Sequence, residues 1–108
     1  MSYPRRDEVW LIALDPSKGS EIKKTRPCLV ISPDEMNEPL LTVLVAPMTT
    51  TVRNYPTRVN MVFRGKAGQV ALDQSRAIDR QLLVRRLGVI TSRAAHEVSS
   101  VLVEMFVR

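Results

Sequence analysis

The stretch LTVLVAPMTT (residues 41–50) joins an almost continuous apolar run to a proline and the first two of three threonines. A short apolar run of this kind is typical of a strand that is buried on both faces. We therefore expect residues 41–46 to form such a strand. Pro47 is expected to end it, because proline has no N–H group to donate to a sheet.

Several other segments also have the pattern of strands. Residues 8–15 (EVWLIALD) are rich in strand formers and stop before Pro16, and residues 27–32 form a second apolar run. In residues 57–64 apolar and polar side chains alternate, which predicts a half-buried strand. The sequence GKAG predicts a turn at residues 65–68, and further extended segments are expected at 69–73, 75–80 and 82–90.

The apolar spacing changes near residue 91, where a helix is predicted to begin. Ser92 is expected to cap it, and apolar residues then recur three and four positions apart, at Ala94, Val98, Val101, Leu102 and Met105. The sequence contains no repeat, linker or low-complexity segment. Residues 1–108 are therefore expected to form a single domain, mostly β or α+β, with a small, strongly bent antiparallel sheet or barrel and a C-terminal helix.

The composition argues against several classes of protein. The chain has 108 residues, 44% of them hydrophobic, which is enough for one core but not for two. Its apolar runs are too short to cross a membrane, and its first residues do not resemble an export signal. The single cysteine, Cys28, cannot form an internal disulfide, and together with the single histidine, His96, it cannot supply a structural zinc site. We expect a soluble cytoplasmic protein without a metal or cofactor, with Cys28 in the core and His96 at the surface or core edge.

The distribution of charge indicates a polyanionic partner. The net charge is +5, and no acidic residue lies between Glu38 and Asp73, an interval that contains the cations Arg53, Arg58, Arg64 and Lys66. A second group of cations lies between residues 18 and 26, with one carboxylate among them. Such stretches attract phosphates, although a solvated surface that keeps the protein soluble explains the charges equally well.

The chain lacks most of the usual catalytic residues. With one histidine, a two-histidine ribonuclease mechanism is not available, and the carboxylates lack the spacing of metal ligands. The sequence has no glycine-rich phosphate loop. Arginine can stabilise the charge of a phosphoryl-transfer transition state, and RNA carries its own nucleophile, the 2′-OH group. The composition is thus compatible with RNA cleavage by internal transesterification.

Ordered sequence blocks along nearly the whole chain resemble one known family. The blocks are DEVWLIALDPSKGSEIKKTRPCLVISPDEMN (residues 7–37), VAPMTT (45–50), YPTRV (55–59) and ALDQSRAIDRQLLVRRLG (71–88). They are similar to the MazF/PemK family of toxin endoribonucleases from toxin-antitoxin pairs. The resemblance implies an SH3-like barrel of the MazF/PemK/CcdB type, acting as a homodimer. It also implies a cognate antitoxin, whose disordered, acidic C-terminal segment covers the RNA-binding groove.

The resemblance further implies a reaction and residues that perform it. Members cleave single-stranded RNA, often messenger RNA, without a metal and leave 2′,3′-cyclic phosphate and 5′-OH ends. Arg26 matches the active-site arginine, and Thr49 matches a hydroxyl that binds the scissile phosphate. Glu21 and Asp73 match carboxylates that different members use as the base, so they are competing candidates. Further RNA-binding positions are expected at Lys18, Ser20, Lys23, Lys24, Thr50, Arg53, Arg58 and Gln74.

Each candidate also has a plain structural interpretation. Arg26 can pair with Glu21 at the surface, Thr49 can be an ordinary turn hydroxyl, and Asp73 can cap a strand end. The chain also departs from the family pattern. Ala71 stands where some members have a second arginine, which leaves protonation of the leaving oxygen to Arg26 or to water.

A second departure concerns the first strand. Asp7 stands in place of the usual glycine, which puts the turn before the first strand in doubt.

Two rival functions remain. A non-enzymatic toxin of the same fold that binds DNA gyrase is disfavoured, because the chain ends in VEMFVR rather than in small and aromatic residues. An inactive RNA-binding module is disfavoured, because few aromatic residues remain for base stacking.

Overall fold

The computed structural model describes residues 2–15 and 24–108. This part of the chain forms a sheet, a short helix, a longer C-terminal helix and two 3₁₀ turns. The strands are β1 (Glu8–Asp15), β2 (Lys24–Val30), β3 (Thr42–Thr49), β4 (Arg58–Phe63), β5 (Lys66–Ala71), β6 (Arg76–Asp79) and β7 (Leu83–Val89). The helices are α1 (Asp34–Asn37) and α2 (Ser92–Phe106), and the 3₁₀ turns are Leu72–Gln74 and Arg80–Leu82.

The strands form one antiparallel sheet with the order β4-β5-β3-β2-β1-β7. β3 is its centre, because β2 pairs along one edge of it while β6 and β5 share the other edge. β6 pairs with residues 42–45 of β3, and β5 pairs with Met48 and Thr49. This change of partner lets the sheet curl into a half-barrel, so the predicted strongly bent antiparallel sheet with a C-terminal helix is confirmed.

Pro47 lies inside β3, so the prediction that it ends the strand was wrong. The Ile31 N–H donates to the Leu44 carbonyl at 3.0 Å, and the alternation of antiparallel pairs then places the Pro47 nitrogen on the edge away from β2. On that edge, pairing with β6 stops at Val45 and pairing with β5 starts at Met48. The missing N–H therefore falls where the hydrogen-bond ladder is already interrupted.

Apolar side chains are buried on both faces of the sheet. One cluster lies between the sheet and α2 and consists of Val9, Leu29, Ala46, Val59, Val70, Leu72, Ile90, Ala94 and Val98. The other consists of Ile12, Cys28, Val30, Val43, Val45 and Ile78, with Trp10 packed against it. Val45 and Ala46 belong to different clusters because successive strand residues point to opposite faces. The predicted burial of this strand on both faces is confirmed.

The predicted C-terminal helix is confirmed, but its cap was misassigned. Thr91 is the N-cap residue, because its side-chain oxygen accepts a hydrogen bond from the Ala94 N–H at 3.2 Å. Ser92 is the first helical residue instead. Ala94 and Val98 are the buried members of the predicted apolar stripe, and the other three pack against the same cluster. No helix in the described residues has the length and apolar character needed to span a membrane.

The turn predicted at GKAG lies two residues closer to the N-terminus, at residues 63–66 instead of 65–68. Arg64 and Gly65 form a two-residue hairpin turn with φ values of +52° and +78°, and Phe63 pairs with Lys66 directly after it. Positive φ at both central positions is what this kind of hairpin turn requires. The last three residues of GKAG belong to β5. The prediction was wrong because it relied on glycine as a turn former, whereas Arg64 also adopts the left-handed conformation.

The turn before β1 forms although it lacks glycine. Asp7 has a φ of +75°, and the Glu8 N–H donates to the Arg5 carbonyl at 3.1 Å. Aspartate is one of the few residues with a side chain that enter this region readily. The other strands agree with the prediction within a few residues, and β2 begins three residues earlier than expected, at Lys24. The short helix α1 was not predicted.

Candidate functional site

An open groove lies where the first residues of β2 meet the end of β3 and the β4–β5 hairpin. Its volume is about 370 Å³. We call it the β2–β3 groove, and its lining includes Arg26, Thr49, Thr50, Met61, Phe63 and Lys66. Five of these residues come from the strands β2, β3, β4 and β5, and Thr50 directly follows β3, so only the pairing of β3 with both β2 and β5 brings them together.

Arg26 and Thr49, the two leading catalytic candidates, both line the β2–β3 groove. Arg26 lies near the start of β2, opposite Ile12 of β1, and is exposed. Thr49 ends β3, and its hydroxyl oxygen accepts a hydrogen bond from the Thr51 N–H at 3.0 Å. The hydroxyl therefore stabilises a turn, as the structural interpretation of Thr49 predicts. It also keeps a proton to donate to a ligand. Thr50, a predicted RNA-binding residue, lies beside it in the same lining.

Gly68 allows the wall of the groove to close at Thr49. A Cβ atom at position 68 would lie 2.6 Å from the Thr49 carbonyl oxygen, which is a backbone atom that cannot move aside easily. Glycine is therefore needed for β5 to approach the end of β3 this closely. The approach sets the position of the Thr49 hydroxyl relative to the hairpin.

The lining of the groove combines apolar and cationic groups. Met48, Met61 and Phe63 are partly buried and pack against the cluster beneath α2. Lys66 lies at the start of β5 and is exposed. This combination suits a ligand with flat apolar faces and negative charge, because the faces can contact the apolar side chains while Arg26 and Lys66 attract the charge. Lys66 belongs to the interval without acidic residues, and that pattern was the only sequence signal for it.

Asp73 lies outside the lining of this groove, in an ion pair with Arg58. The Arg58 Nε and Nη2 atoms donate to the two carboxylate oxygens at 2.8 and 3.3 Å, and the Thr57 hydroxyl donates to one of them at 3.1 Å. These hydrogen bonds, led by that from Arg58, hold the pKa of the Asp73 carboxyl below its usual value. The same hydrogen bond raises the pKa of Arg58. A carboxylate stabilised in this way is a weaker base than a free one.

The remaining predicted residues are placed as follows. Arg53 and Gln74 are exposed, but neither lines the β2–β3 groove. Arg58 is held by Asp73, and its guanidinium carbon lies 5.1 Å from the centre of the Tyr55 ring. The predictions for Lys18, Ser20, Glu21 and Lys23 fall outside the described residues, as does the proposed Arg26–Glu21 pair. Lys24 is the first residue of β2.

Sequence reasoning missed Gln69, which is only 4% exposed. It lines the groove and pairs with Thr49 on one side and Asn60 on the other. Its side chain binds the backbone of Arg53 and the side chain of Asn60. A polar residue at an otherwise buried strand position was the available signal, because a buried amide must find hydrogen-bond partners.

Cys28 and His96 lie where the sequence predicts them, in the core and at the surface. Cys28 is fully buried in the core, where burial raises the pKa of its thiol to about 12. A thiol in this state is protonated at neutral pH and is not a nucleophile. His96 is exposed on α2. Both predictions are confirmed.

Comparison with known proteins identifies the family. A family model described as "PemK-like, MazF-like toxin of type II toxin-antitoxin system" matches residues 5–106. Endoribonuclease PemK of Escherichia coli is 33% identical over 79 residues, which cover 68% of this chain but only 59% of that protein. Endoribonuclease MazF9 of Mycobacterium tuberculosis is 31% identical over 98 residues, which cover 82% of this chain and 83% of that protein.

Solved structures show the same fold. MazF from Deinococcus radiodurans superposes with a TM-score of 0.78 at 25% identity, over 97% of each chain. An endoribonuclease from a mycobacterial species, in complex with its cognate antitoxin, gives a TM-score of 0.80 at 24% identity over 94% of this chain and 92% of that one. The family model covers nearly the whole chain, and the fold agrees with it. The chain therefore belongs to the PemK-like, MazF-like family of toxins from type II toxin-antitoxin systems.

Proposed function

We propose that this toxin is a cytoplasmic endoribonuclease that cleaves single-stranded RNA, chiefly messenger RNA, in the β2–β3 groove. One observation carries the proposal: Arg26 and the Thr49 hydroxyl, which match the family's catalytic positions, line one open groove together with Lys66 and an apolar floor. The names of two curated relatives, both endoribonucleases, point to the same activity. The net charge of +5 favours an RNA substrate over neutral or cationic ones.

The proposed reaction is a transesterification within the RNA. A base removes the proton of the 2′-OH group, and the 2′-oxygen attacks the neighbouring phosphorus. The bond from phosphorus to the 5′-oxygen then breaks, and that oxygen takes up a proton. The products are a 2′,3′-cyclic phosphate and a 5′-OH end, and the step consumes no water and no cofactor.

Arg26 and Thr49 act on the phosphate in this scheme. The Arg26 guanidinium stabilises the charge that builds up on the non-bridging oxygens, and it protonates the leaving 5′-oxygen directly or through water. The Thr49 hydroxyl donates its remaining proton to the same phosphate. The apolar side chains of Met61 and Phe63 hold the flanking bases, so that the 2′-oxygen is placed in line with the bond that breaks.

Two partners belong to the proposal. The toxin acts as a homodimer, as the family resemblance implies, and a cognate antitoxin inhibits it. The mycobacterial relative is described as bound to its cognate antitoxin. An acidic, disordered segment of an antitoxin suits the groove, because its carboxylates would occupy the places of phosphates beside Arg26 and Lys66.

The test is a cleavage assay in excess EDTA. A long unstructured RNA should be cut at discrete sites with 2′,3′-cyclic phosphate ends, whereas a copy with 2′-deoxy substitutions at those sites should remain intact. Arg26→Ala should lower the rate by about 10²–10³, the range seen when a group that stabilises the transition state is removed.

Arg85→Ala is the matched control, since Arg85 is an exposed arginine on β7 and outside the groove. It should cut at the wild-type rate. If folded wild-type protein leaves the RNA intact, or if Arg26→Ala cuts as fast as Arg85→Ala, the proposed activity or the role of Arg26 is wrong.

A further inference from the structure

Gln69 makes three hydrogen bonds from a buried position in β5. Its Oε1 atom accepts from the Arg53 N–H at 3.0 Å, and its Nε2 group donates to the Arg53 carbonyl at 3.1 Å and to Asn60 Oδ1 at 2.8 Å. Both protons of the amide are therefore used, and the oxygen is also paired. This one side chain satisfies both backbone polar groups of a residue that lies 16 positions away in the sequence.

The segment held in this way is the loop between β3 and β4, residues 50–57. Its start is fixed by the hydrogen bond from the Thr51 N–H to the Thr49 hydroxyl. Its end is fixed where the Thr57 hydroxyl donates to Asp73 at 3.1 Å. Gln69 holds the middle of the loop, where residues 52–56 are exposed and contribute no buried apolar side chain that would fix it.

The held loop forms part of the wall of the β2–β3 groove. Thr50 and Thr51 line the groove, and so does Gln69 itself. A loop that is free to move would change the width of the groove next to Thr49. A loop that is fixed presents one shape to the nucleotides on either side of the scissile phosphate.

From this geometry we propose that Gln69 is a positioning residue that sets the sequence preference of cleavage by fixing the β3–β4 loop as a groove wall. The inference rests on the proposed endoribonuclease function. Gln69 acts through the loop and not on the reacting atoms, so its loss should affect the choice of cleavage site more than the rate at the best site.

The test uses Gln69→Met, which keeps the length and volume of the side chain but makes none of the three hydrogen bonds. Asn60→Ala is the milder second variant, because it removes only the bond that orients the amide. Gln81→Met is the matched control, since Gln81 is exposed and does not line the groove. Each protein is examined by amide hydrogen exchange and by sequencing the fragment ends from an RNA library with randomised sites.

In Gln69→Met, exchange of the Arg53 amide should be about tenfold faster, because its N–H loses the Gln69 Oε1 acceptor. Cleavage should spread to sites that the wild-type protein rejects, with KM at the preferred site raised more than kcat is lowered. Asn60→Ala should show the same changes to a smaller extent, and Gln81→Met should show neither.

Unchanged exchange at Arg53 would overturn the role of Gln69 in holding the loop. Faster exchange with an unchanged set of cleavage sites would overturn its role in sequence preference. If wild-type protein cuts no RNA at all, the proposed function fails and the preference with it, while the exchange data still decide whether Gln69 holds the loop.

Discussion

Asp73 and Glu21 match carboxylates with the same proposed task, and the surroundings of Asp73 bear on the choice between them. Asp73 is bound by Arg58 and Thr57, lies outside the β2–β3 groove and has a lowered pKa. A base must be near the proton it removes and have a pKa that lets it accept that proton. These facts argue against Asp73 as the base, and we therefore propose that Glu21 activates the 2′-OH group.

The choice between the two carboxylates can be made by isosteric substitution. We expect Glu21→Gln to lower the cleavage rate by about 10²–10⁴, the usual contribution of a general base. Asp73→Asn should lower it by less than about tenfold, because Asp73 would act only by holding Thr57 and Arg58. Single-turnover rates, with the unfolding midpoint of each variant as a control for stability, measure the difference. A larger loss in Asp73→Asn at unchanged stability would assign the base to Asp73.

Cys28 leads to a prediction about pH and chemical labelling. Its thiol has a pKa of about 12 in the folded protein, above its ordinary value of 9.0. The folded state therefore binds the proton more tightly than the unfolded state. The resulting stability is fully present below pH 9 and is lost as the pH rises from 9 toward 12.

Native protein should accordingly resist alkylation by iodoacetamide at pH 8, because the reagent attacks the thiolate and Cys28 is buried. In denaturant, labelling should be complete, and at intermediate concentrations its extent should follow unfolding monitored by circular dichroism. Rapid labelling of the folded protein, measured by mass spectrometry, would contradict this expectation.

Among the structural elements, α2 offers a direct comparison of two neighbouring hydroxyls. The Thr91 hydroxyl oxygen accepts a hydrogen bond from the Ala94 N–H, whereas Ser92 lies within the first helical turn. We expect Thr91→Ala to lower the free energy of unfolding by about 1 kcal/mol, the usual cost of removing a cap. Ser92→Ala should leave it within about 0.5 kcal/mol of wild type, because alanine favours the helix interior. Urea unfolding measures both, and equal effects would show that Thr91 does not act as the cap.

The strand β3 shows why an element can depart from the rule for its residues. Proline usually ends a strand because it removes a hydrogen bond from the ladder. In β3 no bond is lost, since the strand changes partner from β6 to β5 at that point. The position of the gap in the hydrogen-bond ladder depends on two strands that follow later in the chain, so it cannot be read from the residues around Pro47.

For the molecule as a whole, the relevant quantity is the positive charge gathered at the groove. Binding to a 2′-deoxy RNA, which cannot be cleaved, should weaken with salt. If the protein neutralises about four phosphates, a plot of the logarithm of the association constant against the logarithm of the salt concentration should have a slope of about −3. Fluorescence anisotropy at several salt concentrations measures this slope.

Single substitutions locate the charges that contribute to the slope. Lys66→Ala should make it less steep by about 0.7, the value for one phosphate contact on a single strand. Arg85→Ala should leave it unchanged, because Arg85 lies on β7 and outside the groove. A slope near zero for the wild-type protein, or equal effects of the two substitutions, would place the RNA on another surface.

Much of the fold was predictable from local patterns in the sequence. Alternation in residues 57–64 and the spacing of Ala94, Val98 and Val101 depend on which way successive side chains point, which is a property of the strand or helix itself. The family blocks likewise identified Arg26 and Thr49 as candidates, and both line the groove. These conclusions need no knowledge of which strands become neighbours.

Which distant groups meet depends on how the strands and loops are arranged in three dimensions. Three features depend on partners supplied by another strand or loop. Asp73 pairs with Arg58, Gln69 holds the backbone of Arg53, and β3 accommodates Pro47 where its pairing partner changes. Periodicity reports the direction of a side chain, but not the strand or loop it reaches. Local patterns in the sequence were thus sufficient for most of the elements, the family and the leading candidates. The groove depends on long-range pairing, because hydrogen bonds between remote segments leave no local pattern.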